Sequence, residues 1–178
     1  MKFLEIKGRD SGSDPIRRRY SCRSFQPQCP AKSTLEELMR AGMQAPSARN
    51  ERPWEFLVVT SEEGREKIAR SSPYAACCRQ APAVILALAN LERIPKDGAW
   101  WVQDMSACVE NILIEAVRLE LGGVWLGIYP RMERVRAIQT AFDLSDAMVP
   151  FAAIPVGYPL TAEEAPDRYE ADRIHWES

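Results

Sequence analysis

Apolar residues recur along the chain in two rhythms, helical and extended. Leu35, Leu38, Met39 and Met43 fall at helical spacing, with Ser33 and Glu36 forming a capping-box pattern ahead of them and Pro46 closing the segment. Residues 54–60, from Trp54 to Thr60, are rich in β-formers and read as a strand. Thr60 and Glu63 make a second capping box, which opens a helix to about Arg70. Residues 83–89 are a short unbroken apolar run, the pattern of a strand covered on both faces. Residues 99–121 follow as a long helix whose apolar positions wrap much of the circumference, so it belongs at the centre, packed against a second subunit. Gly122 is its expected C′ residue. Residues 124–129 read as a strand or extended turn, Pro130 starts a helix over 131–142, and 151–157 is the last strand. Its Pro155 suits an edge or a bulge.

The two ends differ from this middle. Asp14 before Pro15 predicts a short basic helix running into Arg17, Arg18, Arg19 and Tyr20. From Pro159 the chain turns polar, yet it ends in Ile174, His175 and Trp176, which implies that the tail docks on another surface, a partner subunit being one candidate.

Composition narrows the chemistry. The chain has 178 residues, 46% hydrophobic and 27% charged, enough for one domain with its own core. Lys+Arg 23 against Asp+Glu 25 gives −2, which argues against a nucleic-acid partner. The single histidine, His175, excludes a His-based triad or a histidine-rich metal site. Five cysteines, none in CxxC spacing and two of them adjacent, make a poor disulfide framework and imply reduced thiols in a cytoplasmic protein. The first ten residues lack the apolar stretch of a signal peptide, and acidic residues interrupt the longest apolar stretch, so no membrane span is expected.

Four fragments carry candidate chemistry. Arg17, Arg18, Arg19 and Arg23, with Tyr20, Ser21 and Ser24 between and beside them, are suited to an anion such as phosphate, although a charge run alone reads as a solvated face. The segment Ala45-Pro46-Ser47-Ala48-Arg49-Asn50 joins small residues to an amide and allows close approach by a flat ligand; alone it reads as a loop. Gly122-Gly123-Val124-Trp125-Leu126-Gly127 lets backbone N–H groups approach a ligand, and alone reads as a helix cap before a strand. Trp100-Trp101-Val102-Gln103-Asp104 opens the long helix with aromatics that could wall a pocket and an acid that suits the dipole. No GxGxxG or GxxxxGK[ST] pattern is present, so a Rossmann or P-loop site is unsupported. Cys77 and Cys78 read as buried spectators.

Taken in order, the fragments resemble the nitroreductase family of FMN-dependent oxidoreductases, from about Pro15 to Trp176. The resemblance rests on Arg19-Tyr20-Ser21-Cys22-Arg23, the run from Ala45 through Asn50-Glu51-Arg52-Pro53-Trp54, Gln103-Asp104 with Asn111, Gly122 to Gly127, and Asp167-Arg168-Tyr169. It implies an α+β fold, a mixed and mostly antiparallel sheet flanked by helices. It also implies an intertwined homodimer with the long helix in the interface and an arm, about 158–178, over the partner. Residues 1–178 would form a single FMN-binding domain. The implied reaction is ping-pong: NADH or NADPH reduces flavin N5, and a small acceptor (nitroaromatic, quinone or flavin) then takes the electrons. FMN performs the chemistry, so neither a catalytic side chain nor a metal is expected.

By the same resemblance, Arg19, Tyr20, Ser21 and Arg23 form the N-terminal cofactor segment, with Arg19 and Ser21 on phosphate and Arg23 towards the ribityl and pyrimidine side. Pro46, Ser47, Ala48 and Asn50 reach the flavin of the other subunit. Leu126 and Gly127 present backbone near N5, and Arg168 lies on the phosphate. Arg52 stands where the family often has Gln, and the stretch from Tyr74 to Gln80 has neither of the family's mid-chain contacts, Lys or Asn. Residues 90–101 are a candidate substrate lid. The resemblance leaves two alternatives: a flavin store or redox sensor with little turnover, or a specialised flavin enzyme that works on one substrate without NAD(P)H.

Overall fold

The computed structural model describes residues 14–95, 98–161 and 163–177; the reading of the first ten residues lies outside them. Five strands form one sheet: β1 (Trp54–Val59), β2 (Ala83–Asn90), β3 (Gly122–Gly123), β4 (Leu126–Gly127) and β5 (Met148–Gly157). The order is β1-β2-β5-β3, with β4 also on β5, and every strand pair is antiparallel. An isolated parallel bridge from Ser21 to Gly123 makes the sheet mixed at its margin. Five helices flank it: α1 (Pro15–Arg18), α2 (Lys32–Met43), α3 (Glu62–Arg70), α4 (Trp101–Arg118) and α5 (Met132–Phe142). This is the expected α+β architecture.

The core follows from the sequence pattern. In β2, Ala83 through Ala89 are all buried, because β1 and β5 hold both edges and helices pack on the sheet. On α4, Met105, Cys108, Val109, Ile112, Leu113 and Ala116 are buried, and α2 lies along it. Burying Ile112 or Val109 fully stabilises the fold by about 1.5–3 kcal/mol each. Gly42 permits the α2–α4 approach, since a Cβ there would stand 2.9 Å from Ile112 Cγ1 and 3.1 Å from Cys108 Sγ.

Several local expectations are corrected. Helix α2 begins at Lys32 with Ala31 as N-cap, and its first bond runs from Leu35 N–H to the Ala31 carbonyl at 3.0 Å, so Ser33 is already inside the helix. Helix α3 is capped by Ser61, whose hydroxyl accepts the Gly64 N–H at 3.2 Å, not by Thr60. Helix α4 is shorter than 99–121, and Glu120, at φ 58°, takes the left-handed position expected of Gly122. Gly122 has a different duty: a Cβ there would lie 2.6 Å from Cys22 Cβ. Pro155 is neither at an edge nor at a bulge, for β5 is central and its register shift lies where Ala87 and Leu88 face Ala152 and Pro150. Its missing N–H falls between β3 and β4, where Val124 N–H still donates to the Pro155 carbonyl at 3.3 Å.

Candidate functional site

Asp14 caps α1 by accepting the Ile16 N–H at 3.0 Å, and the helix ends at Arg18, so Arg19 continues in extended backbone. From there the chain threads between two parts of the sheet margin. Cys22 N–H donates to the Gly123 carbonyl at 3.1 Å, Gln26 N–H to Tyr158 O at 2.8 Å, and Leu160 N–H to Ser24 O at 3.0 Å. Tyr20 Oη donates to the Thr161 carbonyl at 3.1 Å, and burial pushes its phenol up to about 12. The N-terminal segment is therefore fixed to β3 on one side and to the start of the C-terminal arm on the other.

This threading creates a cleft of about 1080 Å³ between the α1 end, α4 and the arm, just above the roughly 300–1,000 Å³ typical of small-molecule sites. Arg17, Arg18, Arg19, Tyr20 and Arg168 line it. Glu110, Glu120, Glu163, Glu164 and Asp167 share it with those four arginines, so a phosphate there depends on which guanidinium groups are free of a carboxylate. Arg18 makes a two-pronged pair with Glu120 at 3.2 and 3.0 Å, and Arg19 Nε lies 3.3 Å from Glu110 Oε1. Two sequence-predicted cations, Arg19 and Arg168, thus meet in one cleft although they come from opposite ends of the chain.

The other predicted residues are not lining groups of this cleft. Ser21 sits in the bridge to Gly123, with its carbonyl accepting from Arg23 Nη1 at 3.3 Å. Pro46 and Ser47 lead into a 3-10 turn, Ala48–Asn50, beyond the end of α2. Arg49, Asn50 and Arg52 have φ of 52°, 57° and 46° there, an unusual concentration of left-handed backbone outside glycine. Leu126 and Gly127 form β4, and a Cβ on Gly127 would meet nothing within 4 Å, so that backbone faces open space.

Sequence reasoning missed Glu110 and Arg134, and gave Asp104 only a place at the helix dipole and in the resemblance; all three organise these segments. Glu110 engages Arg19. Asp104, 6% exposed on α4, accepts the Ala48 N–H at 3.0 Å. Arg134, on α5, donates to the Gly127 carbonyl at 3.0 Å and sits 5.7 Å over the Tyr74 ring. The Glu110–Arg19, Asp104–Ala48 and Arg134–Tyr74 contacts span long sequence separations, which local pattern does not register, whereas Arg134 and Gly127 are 7 residues apart. The reading of the cysteine pair holds for Cys78, which is buried, but not for Cys77, which is half-buried. A hydrogen bond from Cys78 and the nearby Arg23 charge lower the Cys77 thiol to about 7. Of the lid candidate, Leu91–Arg93 form a 3-10 turn and Trp100 is exposed, whereas Lys96 and Asp97 lie outside the described residues.

The model of the nitroreductase family matches residues 16–73 and 73–158. This chain belongs to the nitroreductase family. A Methanothermobacter thermautotrophicus protein named as an NADH dehydrogenase/NAD(P)H nitroreductase is 38% identical over 98% of this chain and 92% of its own length. The crystal structure of a Clostridium acetobutylicum protein described as an NADH oxidase superposes with TM-score 0.88 at 43% identity, over 93% of this chain and 99% of that one. A Desulfovibrio desulfuricans nitroreductase solved in complex with FMN gives TM-score 0.79 at 28% identity, covering 92% of this chain and 95% of that one. Among the described residues, no helix is long and apolar enough to cross a membrane.

Proposed function

We propose that this nitroreductase-family chain is an FMN-dependent oxidoreductase that passes electrons from NADH or NADPH to a small organic acceptor, a nitroaromatic, quinone or flavin, by ping-pong turnover. The observation that carries the reading is the meeting of Arg19 and Arg168 in one cleft of cofactor size. The residues fit FMN in kind: guanidinium groups suit a phosphate, and the open backbone at Gly127 suits a flat ring edge. When bound, FMN supplies hydride acceptance and release at N5. Arg19 and Arg168 would hold the phosphate, with Ser21, in the bridge to Gly123, next along the same segment, while Tyr20 keeps the segment tied to the arm. Arg23 would set a positive charge towards the pyrimidine side of a bound flavin, where it would stabilise negative charge. Gly127 offers backbone near N5, with its carbonyl held by Arg134. Pro46, Ser47, Ala48 and Asn50 complete the site of the other subunit.

The reading includes a homodimer with α4 at its interface and 158–178 as an arm across the partner, the whole of 1–178 serving as one cofactor-binding unit. Exposed Tyr169, Ile174 and Trp176 on that arm support it, because apolar side chains of this size gain by being covered. Five free thiols support a cytoplasmic setting. Arg19→Ala tests the cofactor site: loss of a charge-assisted bond, worth roughly 1.5–3 kcal/mol, raises the FMN dissociation constant about 10- to 150-fold in a fluorescence titration. An unchanged constant removes Arg19 from the site.

A further inference from the structure

Among the described residues, Asp104 is the buried acidic residue of the core, and the proposed chemistry does not use it. It is 6% exposed, in the first turn of α4. One carboxylate oxygen, Oδ1, accepts the Ala48 N–H at 3.0 Å; the other, Oδ2, has no hydrogen-bond partner. Burying a carboxylate on a single hydrogen bond is costly, and an apolar residue would fill the place more cheaply. The bond therefore serves a specific purpose, and its other end shows what that is.

Ala48 opens the turn in which Arg49, Asn50 and Arg52 are all left-handed. Residues other than glycine hold such backbone only where surrounding contacts over-determine it. Three contacts lie within the turn: Asn50 N–H to Ser47 O, Glu51 N–H to Ala48 O and Arg52 N–H to Ser47 Oγ, each 3.0 Å. They close the turn on itself, and Asp104 adds an anchor to the long helix. Farther along the same helix, Asn111 Nδ2 donates to the Ala41 carbonyl at 3.1 Å and holds the end of α2 from which the turn departs.

We propose that Asp104 is a positioning residue: through its bond to the Ala48 N–H it sets the 47–52 turn, and so the Ser47, Ala48 and Asn50 contacts with flavin. The flavin part rests on the function proposed above. The test compares wild type with Asp104→Ala, Asp104→Asn and Ala48→Pro. Asparagine keeps an oxygen for the Ala48 N–H. Proline deletes the donor while leaving the carboxylate, and Ser47, at φ −139° and ψ 148°, already has the backbone that precedes proline well.

Two readouts are taken: the FMN dissociation constant, and hydrogen exchange at the amides of Asn50, Glu51 and Arg52 with β2 as internal reference. Asp104→Ala and Ala48→Pro are expected to weaken FMN binding at least tenfold and to speed exchange in the turn but not in β2. Asp104→Asn is expected to stay within about threefold of wild type in both. Should Asp104→Ala not fold, Ala48→Pro and Asp104→Asn decide. Wild-type FMN affinity and turn exchange in Ala48→Pro would overturn the assignment. So would exchange rising equally in β2, or an Asn variant as impaired as the Ala variant. If wild type itself binds no FMN, the proposed function falls, and turn exchange alone still decides whether Asp104 holds the turn.

Discussion

At the scale of single residues, the cleft sets two demands against each other. In the proposed site Arg19 would offer its guanidinium to a phosphate, yet Glu110 already engages it at 3.3 Å. A bound phosphate must compete with that carboxylate. Glu110→Gln removes the competing charge and keeps the shape, so it is expected to tighten FMN binding by about two- to fivefold, the worth of a partly exposed ion pair. Weaker binding in that variant would mean that Glu110 orients Arg19 rather than occupying it. Arg19 was singled out within a run of arginines and hydroxyls that suits an anion, and Arg168 only by the family resemblance; the structure puts both on one cleft. Nothing in its helix pattern marks the bond of Arg134 to Gly127, 7 residues back, and the contacts of Glu110 with Arg19 and of Asp104 with Ala48 were hidden because the partners lie far apart in sequence. Cys77 was hidden for the same reason: its lowered thiol owes much to Cys78 but also to Arg23, which only folding brings near.

At the scale of elements, the chain's rhythm located each major helix and strand, and erred at their ends. The apolar run at 83–89 is the buried β2, and the helical spacing of Leu35 and Leu38 is the buried face of α2. End positions depend on which of several adjacent polar residues takes the cap, a choice of small energy. For α3 both Thr60 and Ser61 are chemically suitable, and the geometry selects Ser61. Ser61→Ala is therefore expected to cost about 1 kcal/mol in chemical denaturation, and Thr60→Ala only a few tenths. Equal losses would contradict the assigned cap. Pro155 teaches a related lesson. A proline usually marks an edge, but a central strand tolerates it where the neighbouring ladder is already interrupted, as it is between β3 and β4. Sequence shows the proline and not the gap.

At the scale of the whole molecule, the arm joins the fold's two ends. It begins at Tyr158 and Pro159, whose carbonyls accept from Gln26 N–H at 2.8 Å and Gln26 Nε2 at 3.0 Å, and continues past Arg168 to Trp176, which is 87% exposed. Truncation after Gly157 is expected to release the 20–26 segment, lower FMN affinity and shift the proposed dimer towards monomer in sedimentation. A truncated protein that stays dimeric and retains FMN would make the arm dispensable. The α+β class and the family were readable from ordered fragments, each weak alone, since several matches in the right order constrain one fold. The proposed dimer was suggested by the wrapped apolar face of the long helix and by the apolar end of the tail, and Tyr169, Ile174 and Trp176 are exposed in the single chain. The central claim, a working flavin oxidoreductase, is tested most directly by the visible spectrum of the purified protein without oxygen, before and after NADH or NADPH. The account predicts flavin bands that bleach rapidly with at least one nicotinamide. A colourless protein that FMN cannot reconstitute, or flavin bands that neither donor bleaches, would contradict it.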